Sequence, residues 1–229
     1  MKKSILSGAL LAASAITFGF VANDAEAAYS YTATPNAPIG TPEIPIVDGM
    51  METVSTINVT ESFSVADVAL TMLIEHTWVG DLKMYLEAPD GSALTLVEQD
   101  WDNDRRFMPE FTYTFRDDAT QDIPIRHPEY ATTVPAGTYR PDGAPIGPDG
   151  MPMGERETFS SVFSGIDSQG VWSLYIYDTS PDDDQTAIFS GKLDSWTLEL
   201  TPVPIPGAIW LFGAALVGLV GFKKKKSMA

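Results

Sequence analysis

The sequence predicts an all-β chain, an antiparallel jelly-roll β-sandwich bracketed by an N-terminal signal peptide and a C-terminal transmembrane helix. Three observations predict the sandwich. Apolar residues recur with period two in several short runs, turn residues separate those runs, and no long interior stretch carries helical period. Many short strands joined by turns fold as sandwiches or jelly rolls. At 229 residues the chain is long enough to bury a sizeable core.

The N-terminus reads as a targeting segment. Lys2 and Lys3 precede an apolar stretch from Ile5 to Val21, and Ala25-Glu26-Ala27 follows. A basic start, an apolar middle and a small-x-small site make a secretory signal peptide over residues 1–27, with cleavage between Ala27 and Ala28. Residues 28–53 are rich in Pro, Thr and Gly and lack periodicity, which predicts an exposed linker.

The domain is expected over residues 54–201. Val68, Leu70, Met72, Ile74, His76 and Trp78 form one face of a strand, and Ala69, Thr71, Leu73, Glu75 and Thr77 the other. Leu82, Met84 and Leu86 alternate with Lys83, Tyr85 and Glu87. Pro89-Asp90-Gly91 then turns the chain into Leu94 and Leu96, a hairpin. Phe111, Tyr113 and Phe115 repeat the pattern. So do Trp172, Leu174 and Ile176, and finally Trp196, Leu198 and Leu200. Between them, Pro141 to Gly147 and Pro148 to Gly154 are two copies of a seven-residue Pro/Gly unit, too proline-rich to pair in a ladder and best read as a surface spacer.

Composition removes several classes of function. With no cysteine there is no disulfide scaffold, thiolate metal site or thiol nucleophile. Two histidines, His76 and His127, are too few for a multi-histidine metal centre. Residues 28–222 hold eight basic and 29 acidic side chains, a balance near −21 that repels nucleic acid.

The tail, residues 202–229, contains an apolar run from Ile205 to Phe222, about 27 Å of helix, just enough to cross a hydrocarbon core. Pro204 and Pro206 mark its start, Trp210 lies at the interfacial level, and Lys223, Lys224, Lys225 and Lys226 are expected to stay cytoplasmic. Val203-Pro204-Ile205-Pro206, the helix and the basic cluster together resemble the PEP-CTERM sorting signal, although Ile205 stands where that family has glutamate. The resemblance implies a bacterial exported protein and an exosortase partner. It also implies a membrane-anchored precursor that ends at the cell surface or in an exopolysaccharide and biofilm matrix. A plain C-terminal anchor is the alternative.

A second resemblance covers the domain. His76-Thr-Trp-Val-Gly80-Asp81-Leu82, Leu86-Glu-Ala-Pro89-Asp90-Gly91, Phe115-Arg-Asp117-Asp118-Ala119, Gly137-Thr-Tyr-Arg-Pro141, Phe163-Ser-Gly165 with Gly170-Val-Trp172, and Gly191-Lys-Leu193-Asp-Ser-Trp196 occur in that order. Together they resemble the P domain (P/Homo B domain) of subtilisin-like proprotein convertases and bacterial proteases. That family is an antiparallel jelly roll which stabilises or regulates a catalytic domain. On that reading Trp172 and Trp196 are core aromatics and His76 is a structural, hydrogen-bonded position.

No catalytic residues are expected. Residues 28–53 are too few for a subtilisin fold, His127 has no nearby nucleophile signature, and Gly-x-Ser-x-Gly is absent. A serine-peptidase activity would follow only from the company P domains keep. Calcium is the better chemical expectation. Asp100, Asp102 and Asp104 have EF-hand spacing, but Arg105 and Phe111 occupy its glycine and glutamate positions, so that motif fails. Asp81, Asp117, Asp118, Asp178 and Asp183 lie at strand or loop ends and are the candidate ligands, with a solvated acidic surface as the alternative. Two function classes follow. One is a non-catalytic matrix protein that binds or scaffolds, with polysaccharide as a ligand by jelly-roll analogy and Trp101 as a stacking platform. The other is an accessory module of a separate secreted protease.

Overall fold

The computed structural model describes residues 27–39, 51–98, 105–124, 133–143, 155–179 and 191–204. Ten strands occur among them: β1 (Tyr29–Ala33), β2 (Ala37–Ile39), β3 (Met51–Val59), β4 (Val65–His76), β5 (Leu82–Glu87), β6 (Ala93–Val97), β7 (Thr112–Phe115), β8 (Gly137–Tyr139), β9 (Gly170–Asp178) and β10 (Gly191–Pro202). A 3-10 turn spans Val79–Asp81, and one short helix, α1, spans Phe159–Phe163. The strands form two sheets packed as a sandwich. Sheet one runs β1-β10-β4-β7-β8, with β2 also paired to β10, and sheet two runs β3-β9-β5-β6.

The alternation read from sequence becomes the core. Val68, Leu70, Met72 and Ile74 of β4 point inward with Trp196, Leu198 and Leu200 of β10. They meet Leu82, Met84 and Leu86 of β5 and Trp172, Leu174 and Ile176 of β9 from the other sheet. Each tryptophan keeps its indole N–H satisfied: Trp172 donates to the Ser168 carbonyl at 3.0 Å and Trp196 to Ser55 Oγ at 2.8 Å. The predicted hairpin is present, with β5 antiparallel to β6 and Gly91 at φ 86° closing the turn. Trp78 departs from the expected face. The strand ends at His76, and Trp78 sits half-buried at the entry to the 3-10 turn.

Two expectations are corrected. The linker assigned to residues 28–53 contributes β1 and β2, which pair side by side along β10 as one broken edge, Tyr31 opposite Leu198 and Ala37 opposite Leu193. An edge strand held by backbone hydrogen bonds on one side needs little apolar alternation, so its sequence resembles a coil. The break falls at Asn36, whose φ of 51° lies in the left-handed region. β3 begins at Met51, so strand structure also starts ahead of residue 54. The sandwich is also not wholly antiparallel: β7 and β8 run parallel, with Tyr113 opposite Gly137 and Phe115 opposite Tyr139. A parallel neighbour needs a crossover rather than a turn, and the chain between Phe115 and Gly137 is long enough to supply one.

Short polar contacts fix the connections. Thr158 and Ser161 form a capping box on α1, which buries Phe159 and Phe163. Asp122 is held by Arg140 in a two-pronged ion pair and by Arg156, which also reaches Asp142 at 3.9 Å. Partial burial works to raise the Asp122 carboxyl, but the two guanidiniums outweigh it and hold it below the usual range.

Candidate functional site

The four described candidate ligands fall at two places. Asp81 and Asp178 lie at one end of sheet two: Asp178 is paired with Leu82 in register, and the Asp81 carbonyl accepts from Thr179 N (2.9 Å) and Thr179 Oγ1 (2.7 Å). Asp117 and Asp118 follow β7, beside Asp67 and therefore near the opposite end of β4 from His76. Burial pushes the Asp67 carboxyl up; the Val68 amide and Arg116 oppose this, while Asp117 and Asp118 add to it. Asp183 lies outside the described residues, as do Asp100, Asp102, Asp104, Trp101 and His127.

The donors already have work. Both Asp117 oxygens accept from the first turn of α1, from Phe159 N at 2.7 Å and Ser160 N at 2.8 Å. Asp118, mostly exposed, pairs with Arg116 at 3.0 Å. A calcium ion takes six to eight oxygens, more than the carboxylates of Asp117 and Asp118 supply by themselves. Among the described residues no three acidic or histidine side chains gather where they could hold a metal.

Asp178 instead meets His76. Both are buried, and His76 Nε2 stands 3.4 Å from Asp178 Oδ2. On its other side, His76 Nδ1 is 2.8 Å from the Trp78 carbonyl oxygen and 3.2 Å from the Trp78 nitrogen. Because β4 and β9 belong to different sheets, the pair ties the sandwich together at one end. Next to it is a cleft of about 250 Å³ lined by Glu75, His76, Thr77, Arg106, Phe107 and Met108.

The two outer faces carry arrangements that sequence reading missed. On sheet two, Tyr85 stacks on Tyr175 (centroids 4.6 Å, planes 16° apart) and on Tyr177 (5.8 Å, 21°). The Tyr85 and Tyr177 hydroxyls are 3.1 Å apart, and Tyr177 donates to Glu52 Oε1 at 2.8 Å. Burial first, then these bonds, push the Tyr177 phenol far up; burial also raises that of Tyr85. On sheet one, Thr32, Thr197, Thr71, Thr114 and Thr138 stand opposite one another on five successive strands. Two neighbouring pairs are joined hydroxyl to hydroxyl, Thr32–Thr197 at 2.8 Å and Thr71–Thr114 at 2.9 Å. Alternation reveals which residues point outward, but only strand order and register reveal which of them align.

The family profile of the proprotein convertase P-domain matches residues 65–121, from β4 through β7. Two crystal structures of a serine protease of Aeromonas sobria are similar, one of them a complex with its chaperone. The complex has 16% identity over 77% of this chain with a TM-score of 0.43, and the other has 17% over 76% with 0.42. This chain spans about a quarter of their length, 27% and 26%. No curated protein matches. Among the described residues no helix is long and apolar enough to cross a membrane, and the expected span at 205–222 lies outside them, with Ile205, Pro206, Trp210 and the four lysines.

Proposed function

We propose that this chain is an exported, non-catalytic module of the cell surface or exopolysaccharide matrix, whose P-domain-like jelly roll binds or scaffolds. The threonine row on sheet one carries the reading. Its five side chains offer hydroxyls and methyls at the strand spacing of about 4.8 Å, without charge, on a strongly acidic protein. A neutral polyhydroxylated chain matches such a row in hydrogen bonding and is not repelled by it. Delivery through an exosortase-type signal at Val203 to Pro206 completes the proposal.

The test is co-sedimentation with exopolysaccharide purified from the producing cells. Thr71→Asp with Thr138→Asp should weaken pelleting about tenfold, which is about 1.4 kcal/mol. The P-domain match favours a second reading, an accessory module of a secreted protease. Retention of such a protease, with no pelleting by wild type, would select it. The sorting component has its own check. Mass spectrometry of the exported fraction should find an N-terminus at Ala28 and no peptide from Gly207 onward. The intact tail, confined to the inner membrane, would instead mark a plain anchor.

A further inference from the structure

We propose that Tyr85 and Tyr177 form an oxidative cross-linking site, at which a peroxide-driven one-electron oxidant joins the two rings as dityrosine. Three features on the outer face of sheet two converge on this chemistry. The two hydroxyls are 3.1 Å apart while the centroids are 5.8 Å apart, so the rings converge at their phenolic ends. The ring carbons ortho to each hydroxyl, where phenoxyl spin density concentrates, flank these converging ends. Tyr177 also has a proton acceptor in place, since its hydroxyl donates to the Glu52 carboxylate at 2.8 Å. Tyr175, stacked on Tyr85 at 4.6 Å, extends the π-system over which a hole is shared. With no cysteine in the chain, no thiol competes for the oxidant.

The steps balance. Loss of one electron from Tyr177 to the oxidant releases its phenolic proton to Glu52 and leaves a neutral phenoxyl radical. A second one-electron oxidation does the same at Tyr85, whose proton leaves through the Tyr177 oxygen and Glu52 to water. The radicals couple by forming one bond between ortho carbons, and the two ortho hydrogens move to the oxygens, restoring both phenols. In sum, two tyrosines and one hydrogen peroxide yield dityrosine and two waters. Tyr85 and Tyr177 lie diagonally across adjacent strands, Tyr85 standing opposite Tyr175 and Tyr177 opposite Lys83, so the new bond staples β5 to β9, the two inner strands of sheet two.

The experiment treats the full chain with peroxidase and hydrogen peroxide, then maps cross-linked peptides by mass spectrometry. The expected product is a monomer with dityrosine fluorescence and a linked peptide pair containing Tyr85 and Tyr177, lighter by two hydrogens. Tyr177→Phe should abolish that pair, Glu52→Gln should slow its formation at least fivefold, and Tyr175→Phe should still form it. The wild-type map decides even where a variant folds poorly. Cross-links confined to the exposed Tyr29, or intermolecular products that leave Tyr85 and Tyr177 unlinked, would overturn the assignment.

Discussion

Replacing Trp172 with alanine is expected to destabilise the fold by about 3–5 kcal/mol, the cost of emptying a large aromatic site in a packed core. Trp172 is wholly buried as the third residue of β9, which lies between β3 and β5 in sheet two. Its ring meets Phe163 of α1 edge-on at 5.3 Å and 67°, so the indole also fixes the helix against the sheet. Loss of the side chain removes this contact and leaves the Ser168 carbonyl, now served at 3.0 Å by the indole N–H, without its donor. Trp172→Phe largely separates the two contributions, since it keeps most of the apolar volume and loses the donor with a small part of the ring. It should cost about 1–3 kcal/mol. Urea unfolding checks both: the midpoint should fall in the order wild type, Phe, Ala, with an unchanged slope. Equal midpoints for Phe and Ala would show that the hydrogen bond, and not the ring, dominates.

The legibility of this chain followed one rule. Where a strand has one face in the core and one in solvent, as β4, β5, β9 and β10 do, the period-two pattern was readable residue by residue. Where a strand lies on an edge, as β1 and β2 do, burial leaves little imprint, and proline and threonine made the segment read as a linker. The direction of β8 depends on a crossover that local sequence does not encode. The same limit governed the candidate sites. Loop carboxylates could be counted but not placed: Asp117 finds its partners at Phe159 and Ser160, more than forty residues away, and serves a helix terminus. His76, read as a hydrogen-bonded core position, is one. The threonine row and the tyrosine stack each join strands distant in the chain, so no spacing rule reveals them.

Asp178→Ala is the second large effect, again about 3–5 kcal/mol, because breaking a buried polar pair strands the group that remains. His76 is 3% exposed and Asp178 1%. Water therefore has almost no access to replace the carboxylate beside His76 Nε2. The ring has little freedom to turn toward another partner. Gly191 of β10 lies directly against it, and a β-carbon built there would come within 2.4 Å of His76 Cδ2 and 2.5 Å of the Glu75 carbonyl oxygen. Asp178→Asn keeps nearly the same volume and an amide beside Nε2 whose oxygen can accept or whose nitrogen can donate, so it should cost clearly less than alanine. The loss should also be local in origin. His76 and Asp178 close the end of the sandwich where the 3-10 turn returns the chain from β4 to β5, so amides there, Val79 and Asp81, should lose hydrogen-exchange protection before those of Leu70 or Leu198 at mid-sheet. A midpoint shift below about 1 kcal/mol for alanine, or uniform loss of protection across both sheets, would show that the pair is not what joins the sheets at this end.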